Sequence, residues 1–162
     1  MNNNQTKVFR SSAAEVTAVF SGVSAESHII VYKKVRVDRN GTPLPLFIDN
    51  KKPFVIGEWM HCEYHPTKGF APRSCGTDDN GNPIGGWHCC FQPIAPHLAD
   101  QLSSGERRVW IKCEAKGQRQ VYDRPWNQGG SWILIEWLRP LAILSEEEVS
   151  TINTSAAVLG CA

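Results

Sequence analysis

The sequence predicts an α+β fold: a mainly antiparallel sheet of about six strands with two or three short helices. Three observations lead there. Apolar, β-branched runs alternate with polar residues at a period of two, the spacing of a half-buried strand. Two Asn–Gly pairs, Asn40–Gly41 and Asn80–Gly81, mark tight turns. Strand and helix patterns follow one another without the regular alternation of a parallel βαβ sheet.

The first strand is "HIIVYKKVRVD". Its parity places Ile29, Val31, Lys33, Val35 and Val37 on one side and Ile30, Tyr32, Lys34 and Arg36 on the other. "RNGT" turns the chain, and "PLPLFI" returns as an edge piece limited by its prolines. "GTDDNGNPIGG" is too rich in Gly and Asp for a core element and is expected as an exposed loop. "GWHCCFQP" is a short strand that leads into a helix over "IAPHLADQLSSG". Pro96 fits its first turn and Gly105 stops it. "RRVWIKCEA" alternates, with Val109, Ile111 and Cys113 on one face and Trp110, Lys112 and Glu114 on the other. "QVYDRP" and "SWILIEWLRPLAIL" supply two further strands. "SEEEVSTI" carries a Ser N-cap with Glu in the first turn and predicts a short C-terminal helix. The polar segments 1–27 and 150–162 are expected as flexible ends of a single domain spanning 28–149.

Composition narrows the function. A net charge of +1 supplies no bulk attraction to nucleic acid or to an anionic membrane, so neither is expected as a partner. The apolar runs fall far short of the ~20 residues a spanning helix needs. The N-terminus lacks the apolar region of a secretory signal, so a cytoplasmic protein is expected. Six cysteines in that compartment are free thiols or metal ligands rather than disulfides.

The segment "HCEYHPTKGFAPRSCGTDDNGNPIGGWHCC" holds three of the five histidines and four of the six cysteines. A zinc site needs four N/S ligands in close pairs, and no C-x-x-C occurs here. Cys89 and Cys90 are adjacent, so on a strand they point to opposite faces. The thiols are therefore read as core residues, with no metal and no cofactor expected. Within "HPTKGFAPR", His65, Lys68 and Arg73 share one loop, a cradle for phosphate or carboxylate through charge-assisted hydrogen bonds. It is not a P-loop, because G-x₄-G-K-[ST] is absent. Phe70, Trp87 and Trp126 lie beside Lys68, His88 and Arg124 in sequence. Aromatic faces beside cations suit a ligand made of a base and a phosphate. In "DRPWNQGGSW", Asn127 and Gln128 bring amides that read a base edge or a ribose.

Together "HPTKGFAPR", "GWHCCFQPIAPHL", "RRVWIKCEA" and "DRPWNQGGSWIL" resemble a family of small bacteriophage and prophage proteins without an established activity. The resemblance spans roughly residues 30–145, and "SCGTDDNGNPIG" departs from it as an inserted loop. More distantly, the order of elements is similar to ADP-ribosyltransferase-like folds. That analogy implies a nucleotide pocket lined by Tyr32, Lys34 or Arg36, and His88, with Glu136 as the best position for a catalytic glutamate.

The expectation is a phage-encoded cytoplasmic protein that binds a nucleotide-type small molecule and interferes with host immune signalling by sequestering or degrading a nucleotide messenger. The ligand-binding residues are expected to be Arg36, His65, Lys68, Arg73, His88, Trp126 and Gln128. Two alternatives stand beside it. One is an enzyme, ADP-ribosyltransferase-like or a phosphodiesterase using His65 and His88 as acid and base. The other is an inhibitor that blocks a host defence protein through a protein–protein interface.

Overall fold

The computed structural model describes residues 26–47, 51–66, 73–98, 100 and 105–159, with the backbone alone for Trp126 and for 157–159. The alternation in "IIVYKKVRV" produces β1 (Ile29–Val37), in which Val31, Lys33, Val35 and Val37 are buried. The Asn40–Gly41 turn follows, closed by the Asp38 carboxylate, which accepts from the Asn40 and Thr42 amides at 2.9 Å each. Only Pro43–Leu44 of the expected edge piece forms a strand, β2. Met60–His61 forms β3, a short strand that its polar sequence context does not announce.

The expected exposed loop is a hairpin. Ser74–Thr77 (β4) pairs antiparallel with Pro83–Gly85 (β5), and the exposed Asp78–Asn82 turn joins them. Composition hid these strands because each is only three or four residues long, and Cys75 alone anchors β4 in the core. Trp87–Cys90 forms β6.

The largest departure from expectation is β7. "RRVWIKCEA" and "QVYDRP" form one strand of 17 residues, Arg107–Asp123, rather than two. The register shifts between Lys116 and Arg119, where Gly117 has φ +87°. A bulge of this kind bends a strand without ending it, so the glycine that reads as a break is a kink. A 3₁₀ turn at Trp126–Gln128 then leads into β8 (Ser131–Ile143).

All the pairings in the main, six-stranded sheet are antiparallel. Its strands run β2-β1-β6-β8-β3, and β7 bonds to both β1 and β8. The strands β1, β6, β8 and β7 therefore close a ring. Alternate residues from all four, among them Val31, Val35, Trp87, Cys89, Ile111, Cys113, Ile133 and Ile135, form one apolar cluster. The opposite parity supplies a second, with Cys90, Trp110, Tyr122, Trp132 and Leu134. Cys89 and Cys90 thus enter different clusters, as strand parity requires.

Helix α1 (Glu146–Leu159) packs Val149 and Ile152 against the second cluster. Its start is a capping box: the Glu148 amide donates to Ser145 Oγ at 3.2 Å, and the Ser145 amide donates to Glu148 at 2.7 Å. The helix extends well past "SEEEVSTI" into the segment expected as a tail. At the position of the other expected helix, Ala95–Leu98 is a turn closed by Leu98 N–H donating to the Ala95 carbonyl at 3.0 Å. Residues 99 and 101–104 lie outside the described residues. None of the described helices is long and apolar enough to cross a membrane.

Candidate functional site

Strands β1 and β6 share one registered pair, Tyr32 with Cys90, and then separate. A cleft of about 340 Å³ opens where they part. That volume lies at the lower end of the ~300–1,000 Å³ typical of small-molecule sites. Lys33 and Lys34 contribute from β1, and Trp87 and His88 from β6. The segments carrying Cys62, Glu63 and His65 form another wall. They pass close above Gly85, where a Cβ would lie 2.3 Å from the Glu63 carbonyl oxygen. Arg73, at the foot of β4, Arg124, from the β7–β8 connection, and Trp132, at the start of β8, complete the basic side. Phe47, Leu98 and His97 form an apolar and aromatic rim.

The electrostatics are one-sided. Four permanent cations, Lys33, Lys34, Arg73 and Arg124, line the cleft against one carboxylate, Glu63. Lys33 stands on the valine face of β1 and is 9% exposed. Its ammonium donates to the His88 carbonyl at 3.0 Å and sits 5.4 Å from the Trp87 ring centre. Where the backbone ladder between β1 and β6 ends, a side chain takes over the carbonyl that the ladder leaves unpaired. Lys34 pairs with Asp100 and lies 5.1 Å over Trp110. Arg124 lies 4.7 Å over Trp132. The Nε of Arg73 is buried and has no hydrogen-bond partner among the described residues.

His88 is a strongly perturbed group on the cleft wall. Burial, with the nearby charges of Lys33, Arg73 and Arg124, pushes its pKa down to about 3, so the ring is neutral at physiological pH. Its Nδ1 lies 2.5 Å from the Tyr122 hydroxyl, with the two rings edge-to-face. Burial drives the Tyr122 pKa well up, so that hydroxyl keeps its proton. Arg124 also hydrogen-bonds to Tyr122. A guanidinium only donates, so the Tyr122 proton has Nδ1 of His88 as its acceptor. The single N–H proton of the neutral imidazole is then on Nε2. The cleft therefore contains a fixed, neutral N–H donor surrounded by cations.

The structure brings together His65, Arg73 and His88 of the expected binding residues. Arg36 stands apart, paired with Glu106 at 2.7 Å. Gln128 is not on the cleft wall; its carbonyl accepts from Trp132 Nε1 at 3.0 Å. Lys68 and Phe70 lie outside the described residues, as does the side chain of Trp126. Of the residues named by the fold analogy, Lys34 lines the cleft, while Tyr32 packs on the second cluster. Glu136 is in a different recess, between Trp59 and Trp137. There it meets His61 Nε2 at 3.2 Å and the Gln118 amide at 3.0 Å.

Lys33, Tyr122 and Trp132 are not among the site residues expected from sequence, and Arg124 is marked there only as a cation beside an aromatic residue. For Lys33 the signal is present, since its parity sets a lysine among three valines. A charge on an otherwise apolar strand face needs a partner or a purpose. Among the described residues no three His, Cys, Asp or Glu side chains gather as a metal-ligand set. No protein-family model, curated protein or solved structure matches this chain.

Proposed function

We propose that the cleft binds a nucleotide-type small molecule, with its phosphate among Lys33, Arg73 and Arg124 and its apolar part along the aromatic rim. The observation that carries this reading is the convergence of four cations on a cleft that also contains Trp87, Trp132 and Phe47. Cations supply charge-assisted hydrogen bonds to phosphate, and ring faces supply stacking for a base. The motif resemblance to phage proteins extends the proposal to a setting. There the protein acts in the host cytoplasm and withdraws a nucleotide messenger from defence signalling.

Retention fits the chemistry of His88 better than turnover does. A general acid works best with a pKa near the working pH, and His88 lies far below that, at about 3. It is suited to donating a hydrogen bond rather than a proton. The hydrolytic alternative draws on one observation, that His65 and His88 line the same cleft.

A thermal-shift screen of nucleoside mono-, di- and triphosphates and cyclic nucleotides tests the proposal. The expected result is a stabilising ligand that mass spectrometry recovers intact after denaturation. Recovery of a cleaved ligand would turn the reading to the enzyme. The absence of any shift, together with a stable complex with a host protein, would replace it with the interface inhibitor.

A further inference from the structure

We infer that the phosphate subsite lies between Arg73 and the Nε2 edge of His88, and that Tyr122 is its positioning residue. This rests on the proposed nucleotide reading and goes beyond it by assigning a specific donor pair. Three observations converge. Arg73 Nε is a buried donor with no partner among the described residues, and a buried N–H without an acceptor is costly. His88 is neutral, and its Nδ1 is taken by Tyr122, so its remaining donor is Nε2–H. Lys33 and Arg124, with Arg73, focus positive potential on that ring. Two N–H donors under a positive field match a tetrahedral oxyanion that offers several acceptor oxygens at once. The remaining titratable groups on the cleft wall, Cys62, Glu63, His65, His97 and Lys34, complete the set facing the ligand.

Tyr122 acts through His88. It is buried, at 9% exposure, and does not line the cleft. Its hydroxyl, held in turn by Arg124, fixes which imidazole nitrogen carries the proton. Replacing it with phenylalanine keeps the ring and removes the donor. The imidazole then loses its tautomer preference and presents a lone pair to the phosphate for part of the time.

The test uses the whole protein with inorganic pyrophosphate and a nucleoside monophosphate as probes. Long-range proton–nitrogen NMR reads the tautomer of His88, and calorimetry reads affinity. The expected result is the Nε2–H tautomer in the free protein, with His88 and Arg73 Nε signals that shift on adding pyrophosphate. Tyr122→Phe should weaken pyrophosphate about 3- to 10-fold, the range for one neutral hydrogen bond. It should also give mixed tautomers and leave affinity for the unphosphorylated nucleoside unchanged. If Tyr122→Phe fails to fold, His88→Gln takes its place. A glutamine amide restores an N–H donor, so His88→Gln should bind pyrophosphate more tightly than His88→Leu.

Outcomes separate the two claims. Pyrophosphate binding with no gain for a nucleotide supports the subsite and overturns the nucleotide reading. Nucleotide binding with unmoved His88 and Arg73 signals, or an Nδ1–H tautomer, overturns the subsite and leaves the broader reading standing. No binding of either probe overturns both.

Discussion

The ammonium of Lys33 lies 3.0 Å from the carbonyl oxygen of His88, on a strand face otherwise made of Ile29 and three valines. This bond spans the point where β1 and β6 part, and it holds a cation against the floor of the cleft. Lys33→Met keeps the chain length and removes the charge. It should lower affinity for a phosphate-bearing ligand by about 10- to 100-fold, the range of one charge-assisted hydrogen bond. It should also reduce the salt dependence of binding. Calorimetry at two ionic strengths checks both, and equal affinity in the two proteins would remove Lys33 from the site.

The neutral His88 makes stability depend on pH. Its folded-state pKa, about 3, lies below the ordinary 6.5. Between those values the unfolded chain takes up a proton that the folded chain refuses. Stability is therefore full above pH 6.5 and is lost as pH falls towards 3, by about 1.4 kcal/mol per pH unit. His97 is also depressed, by burial first and then by Arg124 and Arg108, and adds a slope of the same sign. Urea midpoints measured from pH 7 to pH 5 should fall steeply in the native protein and less so in His88→Gln. Parallel curves would contradict the burial of His88.

The turn that delivers Trp132 depends on Gly129. Its φ is +98°, and a Cβ there would lie 2.5 Å from the Ile94 carbonyl oxygen. Gly130 has φ +80°, and a Cβ added there would meet nothing within 4 Å. Gly130→Ala bears only backbone strain and should cost about 1 kcal/mol. Gly129→Ala adds a clash with backbone and should cost about 3 kcal/mol or more. Denaturant unfolding of the two variants gives the ranking, and equal losses would put the Ile94 contact in error.

The five described cysteines, Cys62, Cys75, Cys89, Cys90 and Cys113, are all buried, and none is joined to another in a disulfide. Burial pushes the Cys75 thiol up to about 12 and Cys89 up to about 11. The thiolate is the reactive form, so these residues should resist alkylation in the native protein and react on unfolding. Peptide mapping after timed labelling reads each site. Rapid native labelling of Cys89 or Cys90 would show that the core is open there.

Strand parity carried much of the fold. It placed Val31, Val35 and Val37 inward and sent Cys89 and Cys90 to different clusters. It failed where a local break in pattern was not a break in the chain. Gly117 bends β7 without ending it, and Asp- and Gly-rich residues form a hairpin held by Cys75. At the site, His65, Arg73 and His88 were legible as polar groups beside aromatics, and they share one cleft. Trp132 and Tyr122 were not, because their roles depend on which segments the closed sheet brings together, and Arg124 was marked only as a cation beside Trp126. Arg36 is on the same strand face as Lys34 but pairs with Glu106 and is not on the cleft wall.

The most direct measurement compares a nucleotide with its nucleoside by calorimetry, on the native protein and on Arg73→Ala. The prediction is that the phosphate strengthens binding to the native protein at least tenfold, and that Arg73→Ala removes most of that gain without loss of fold. Equal binding of nucleotide and nucleoside, or full retention of the gain in Arg73→Ala, would contradict a phosphate-binding cleft.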